Sequence, residues 1–165
     1  MRKGIAQSVA LGGVFAALAV VIMSLGTLIP FATYVCPMLC MLLCKILCRL
    51  RGDRMGWAFY GAVAVLSGLL AADKESAALF AVIGYYPMLQ PLFDRSPWRI
   101  LWKLGYFNAV ILLMYAALFH LLGMDQLRAE YRELGTWGMV IMLLLGNVVF
   151  FLFDKILARF RLRKR

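Results

Sequence analysis

The stretch Asp73 to Phe93, DKESAALFAVIGYYPMLQPLF, decides how the chain is read. It opens with three consecutive charges, Asp73, Lys74 and Glu75, and continues as an apolar segment just long enough to cross a bilayer. Its second half carries Gly84, Tyr85, Tyr86, Pro87, Gln90 and Pro91. Proline has no backbone N–H, and its ring meets the carbonyl four residues back, so a helix here is expected to kink at Pro87 and Pro91. Broken backbone at membrane depth is tolerated only where protein or a cavity satisfies the freed carbonyls. The segment is therefore expected to line something other than acyl chains.

The composition around it is that of a membrane domain. Of 165 residues, 64% are hydrophobic and 16% charged, against roughly half and a quarter in a soluble domain. Mean hydropathy is +0.85. No long polar stretch separates the apolar segments, so residues 1–165 are expected to form a single polytopic membrane domain. The net charge of +10 sits in short blocks between apolar runs and at the C-terminus, which points to membrane topology and away from nucleic acid. The opening MRK and the uncharged run from Ser8 to Ile29 are too long for a signal-peptide core and are expected to be a retained helix.

Lys3 and Lys45 bracket 41 uncharged residues, twice what one crossing needs, so the run must turn once, about Pro30. The spans expected in order are Ser8–Ile29, Phe31–Cys48, Met55–Ala72, Ser76–Phe93, Leu104–Met124 and Leu134–Phe153. Gly52 and Asp53 turn the chain between the second and third, Lys45 is expected to snorkel, and an amphipathic connection joins the fifth and sixth. With the N-terminus inside, 15 of the 18 lysines and arginines fall in inner segments. The positive-inside rule thus gives an all-α integral membrane protein of the cell membrane, with six transmembrane helices and both termini cytoplasmic.

This topology brings Tyr34, Asp73, Lys74, Glu75 and His120 toward the external end, with Tyr85 and Tyr86 deeper on the kinked helix. Tyr34, Asp73, Glu75, Tyr85, Tyr86 and His120 form a candidate pocket in which aromatics cover an organic ligand and charges fix its polar end. The competing reading is a solvated loop in which Asp73 or Ser76 caps the helix and the tyrosines anchor by hydrogen bonds. Gln90, Asn108 and Asn147 fall in the inner half, where amides usually bond across helices; the alternative is the floor of a cavity. Cys36, Cys40, Cys44 and Cys48 recur every fourth residue. Thiolates could carry a soft metal, but steps of four drift around a 3.6-residue helix, and small residues at that spacing favour close packing.

Nothing in the sequence supports catalysis. His120 has no carboxylate partner in its own helix, no phosphate loop, metal-binding HExxH or nucleophile elbow occurs, and no cofactor or metal is called for. The acids, Asp154 among them, fall in loops or at helix ends, which argues against a transporter driven through a buried carboxylate.

The first helix, GIAQSVALGGVFAALAVV, carries small residues at spacing four: Ala6 with Ala10, Gly12 with Ala16, and Gly13 with Ala17. With its length and its six helices, the chain resembles the substrate-binding S components of energy-coupling factor transporters. In that family an alanine-x-x-x-alanine pattern on the first helix contacts the transmembrane coupling subunit. Ala6 and Ala10 match it literally, with Gly13 and Ala17 as a glycine variant. The resemblance implies a membrane subunit that captures a vitamin-like small molecule at the external face and works with a coupling subunit and ATPase subunits. An N-terminal metal-binding Met-His start is absent, which disfavours the cobalt and nickel members. The alternative from another class is a membrane scaffold or accessory subunit with no small-molecule ligand.

Overall fold

The first uncharged run forms α1 (Arg2–Ser24), whose 23 residues rise about 35 Å, enough for the hydrocarbon layer. After it come α2 (Ala32–Arg51), α3 (Asp53–Leu70), α4 (Lys74–Ile83), α5 (Tyr86–Phe93), α6 (Arg99–His120) and α7 (Asp125–Arg159). The computed structural model describes residues 2–25, 32–71, 73–120 and 125–159, and no strand occurs among them. The turn expected about Pro30 lies outside the described residues.

The remaining boundaries follow from local chemistry. Only Gly52 separates α2 from α3; its φ of 91° is a left-handed conformation that costs glycine little, and its N–H closes on the Cys48 carbonyl at 2.8 Å. Asp73 caps α4, one carboxylate oxygen accepting from the Glu75 and Ser76 N–H groups at 3.1 Å each. The fourth expected helix is thus present as two pieces, α4 and α5. The break lies at Gly84–Tyr85 and not at the prolines themselves. Pro87 stands in the first turn of α5, where its missing N–H costs least, and the partner that N–H would have bonded is the carbonyl of Ile83, the last residue of α4. In α7 the backbone departs from helical geometry at Gly135 (φ 65°, ψ 177°), next to the boundary expected at Leu134. The connection before it is itself helical, and α7 runs past Phe153 to Arg159.

One end of the bundle, the basic end, brings Arg49 beside Arg95, with Arg51 and Arg54 flanking the Gly52 turn. The opposite end gathers the start of α4 with the end of α1, where the Ser76 hydroxyl meets the Met23 sulfur at 3.6 Å. α2 is the hub, packed against α1, α3, α4, α5 and α7. Its four cysteines are all buried with free thiols. The Cys40 thiol donates to the Ala19 carbonyl of α1 at 3.5 Å, and that of Cys44 to the Gly56 carbonyl of α3 at 3.7 Å. The row drifts around α2 as steps of four on a 3.6-residue helix require, so Cys40 meets α1 while Cys44 and Cys48 meet α3. Among the described residues no cluster of metal-ligating side chains forms. A side chain on Gly56 would collide with the Cys48 sulfur, so α2 and α3 approach as closely as their small residues allow.

Large apolar side chains cover the outside, including Val14, Val65, Leu69, Leu113, Leu144 and Leu152, each more than half exposed. Apolar surface of this extent suits lipid rather than water. Gly56→Val is expected to overpack the α2–α3 contact and to lower the thermal midpoint of the detergent-purified protein, a loss of about 1–3 kcal/mol. Gly61→Ala, whose added carbon meets nothing within 4 Å, is expected to leave the midpoint unchanged or higher.

Candidate functional site

Two prolines four residues apart leave a defined debt of unpaired carbonyls. Pro91 cannot donate to the Pro87 carbonyl, and the Lys45 ammonium of α2 takes that oxygen at 2.9 Å. Earlier in the segment, just before the break, the Ala81 carbonyl accepts the Tyr60 hydroxyl of α3 at 2.5 Å. The broken segment does face protein, and side chains from two other helices bond its Pro87 and Ala81 carbonyls. Lys45 does not snorkel: it is 7% exposed, and its ammonium also donates to the Gln90 Oε1 at 3.0 Å. Turning inward gives it two acceptors that only the broken helix offers.

From Gln90 the network runs into α6 and α7. The Gln90 amide donates to Asp154 Oδ1 at 2.8 Å and to the Asp154 backbone carbonyl at 3.1 Å, and the Tyr86 hydroxyl donates to the same Oδ1. Lys103 of α6 bridges Asp154 Oδ2 at 2.6 Å and Asp94 Oδ1 at 2.7 Å. Asp154, expected just past the sixth helix, lies within α7 and is 8% exposed. Its oxygens are saturated by an ammonium, an amide and a phenol, the condition under which a carboxylate can remain charged away from water. Aromatic rings close the space around it: Tyr86 stacks on Phe93 and Tyr106 and meets Phe150 edge-on, with centroids at 6.2, 5.8 and 4.9 Å. Higher in the same helix pair, Asn108 and Asn147 exchange amide hydrogen bonds at 2.9 and 3.3 Å and tie α6 to α7. The three amides act here as bonds between helices.

At the opposite end a smaller polar chain joins three helices. The Tyr115 hydroxyl of α6 donates to Glu75 Oε1 at 2.9 Å and lies 3.4 Å from the Tyr34 hydroxyl of α2. Of the six residues expected to bind substrate, Tyr34 and Glu75 are thus brought together through a tyrosine that sequence reasoning did not select. Asp73 is adjacent as the cap of α4, with its second oxygen buried and unbonded among the described residues. Tyr85 packs between Trp57, Tyr60 and Tyr106. Tyr86 has no exposed surface and belongs to the Asp154 network, about 16 Å of helix away from Glu75. The side chain of His120 lies outside the described residues.

Sequence reasoning missed the Lys45–Gln90–Asp154–Lys103–Asp94 network as a unit. A signal was present: Lys45 in MLLCKILC and Asp154 in FFLFDKIL are charges embedded in apolar runs, which burial makes stable only with partners. Comparison of the chain with protein-family models, curated proteins and solved structures finds no match. Its class rests on its own geometry. It is an all-helical protein in which, among the described residues, Ala6–Ser24, Lys74–Phe93 and Arg99–Ala117 are long and apolar enough to cross a membrane.

Lys45→Met is expected to strip the Pro87 carbonyl of its donor and to cost about 1–3 kcal/mol. Adding Pro91→Ala supplies a backbone N–H to the same oxygen and is expected to restore part of the thermal midpoint; a double variant no more stable than the single one would refute the assignment. Asp154→Ala leaves Lys103 with one buried partner and Gln90 with one acceptor fewer, an expected loss of roughly 3–5 kcal/mol in the same assay.

Proposed function

We propose that this chain is the substrate-capturing membrane subunit of an importer of the energy-coupling factor type. It crosses the cell membrane six times with both termini cytoplasmic, and binds a vitamin-like small molecule at its external end. The observation that carries the reading is the division of small residues on α1. Gly12 and Ala16 are buried, whereas Ala6, Ala10, Gly13 and Ala17 all lie on an exposed face, and a side chain added at Gly13 would meet nothing within 4 Å. A smooth stripe that the chain's own packing leaves uncovered suits a partner helix at close approach. In this reading the partner is the transmembrane coupling subunit, with ATPase subunits beyond it.

The ligand end is the Tyr34–Tyr115–Glu75 chain, with Asp73 beside it. A carboxylate and two phenols offer hydrogen bonds of both senses to a polar ligand, and their joining of α2, α4 and α6 lets a bound molecule act on three helices together. A scaffold without a ligand is the second reading. It is favoured by the dense packing about Tyr86, where aromatic side chains occupy the space beneath the break.

The two separate in one preparation. Mass spectrometry of molecules released from the purified protein is expected to show a small organic compound in near-stoichiometric amount, diminished in Glu75→Ala at unchanged membrane abundance. A protein that is empty and recovered only with a large partner would favour the scaffold. Ala10→Trp is expected to retain the compound and to abolish co-purification with the coupling subunit.

A further inference from the structure

At the basic end, α2, the start of α3, and α5 with the turn after it border a partly open cavity of about 200 Å³ whose lining includes Lys45, Arg49, Asp53, Met88, Pro91 and Arg95. A single water needs only about 10–15 Å³ by the same kind of measure, so the space admits a polyatomic group. Three cations and one carboxylate border it, an excess of two positive charges. Asp94 and Asp154 share the single charge of Lys103, and the one negative charge left on that triad lowers the excess without cancelling it.

Lys45 makes the imbalance chemical rather than merely numerical. Its ammonium is buried, and its two acceptors, the Pro87 carbonyl and the Gln90 amide oxygen, are neutral. Among the described residues no carboxylate lies within ion-pair distance of Lys45, Arg49 or Arg95. An ammonium has three N–H donors, and two are accounted for. Asp53 and Asp94 act on the Lys45 ammonium only from beyond ion-pair distance, so the buried cation has no direct counter-charge, and an anion in the adjoining cavity supplies one.

We propose that this cavity is a binding site for a phosphate group, held by Arg49 and Arg95 through their planar forks and by the third N–H of Lys45. Met88 and Pro91 supply an apolar wall against which the carbon portion of a phosphate ester rests. The same chemistry is presented by an anionic phospholipid headgroup and by a soluble phosphate compound. Because Lys45 also holds the Pro87 carbonyl, the bound group steadies the ammonium that satisfies the broken helix.

The test uses the full chain in neutral detergent, titrated separately with short-chain phosphatidylglycerol and with inorganic phosphate while the thermal midpoint is followed. A saturable rise is expected with at least one of them. A response to phosphatidylglycerol alone identifies a lipid headgroup, and a response to inorganic phosphate identifies a soluble phosphate source. The variant Arg49→Gln/Arg95→Gln is expected to weaken the apparent affinity at least about tenfold. Arg51→Gln/Arg54→Gln, which removes equal charge outside the cavity, is expected to stay within about twofold. Should the first pair not fold, each single substitution is read in its place and is expected to weaken binding more than either Arg51→Gln or Arg54→Gln. No saturable rise with either titrant, or equal loss in both pairs of variants, would overturn the site.

Discussion

The ammonium of Lys45 against the carbonyl of Pro87 is the contact on which the arrangement of the bundle depends. A helix with prolines at 87 and 91 cannot satisfy its own backbone, and in a low-dielectric interior an orphan carbonyl is expensive. The donor must come from another element, and one that reaches α5 at this depth must approach closely. Lys45 does so because α2 is central and because small cysteines, not bulky side chains, set its distance from α1 and α3. The proline break, the cysteine row and the buried lysine are three parts of one solution.

The same logic extends to the last two helices. Gln90 receives from Lys45 through its oxygen and gives to Asp154 through its nitrogen, so a single amide passes the bonding from α2 to α7. Asp154 in turn draws Lys103, and Lys103 draws Asp94 at the end of α5. Hydrophobic burial does not drive helices together in lipid as it does in water, and directional bonds of this kind set register there. Tyr86, Phe93, Tyr106 and Phe150 surround the network, which shields its charges and strengthens each bond.

The two ends of the bundle are joined by different chemistry. The basic end is dense and cross-linked by charges, apart from the cavity beside Lys45. Among the described residues the opposite end is joined by the Asp73 cap, the Ser76–Met23 contact and the Glu75–Tyr115–Tyr34 chain.

Much of this architecture was legible in the chain itself. Apolar runs of spanning length, the glycine turn at Gly52, the interruption in Asp73–Phe93 and the helix boundary near Gly135 are dictated by local backbone chemistry, which acts over a few residues and leaves its mark in composition. Four-residue spacing likewise marked α2 and the Gly12–Ala16 pair of α1 as packing surfaces. Which carbonyl each donor reaches was not legible. Lys45 and Pro87, or Gln90 and Asp154, are 42 and 64 residues apart, and nothing local says that they meet. For the same reason the expected pocket divided, Tyr34 and Glu75 meeting at one end while Tyr86 joined Asp154 toward the other. The sequence by itself determined where helices form and where they break, because those are properties of adjacent residues. Only the tertiary structure decided which charges are buried and with whom, because that depends on the rotation of each helix about its axis, a quantity set by all its neighbours at once.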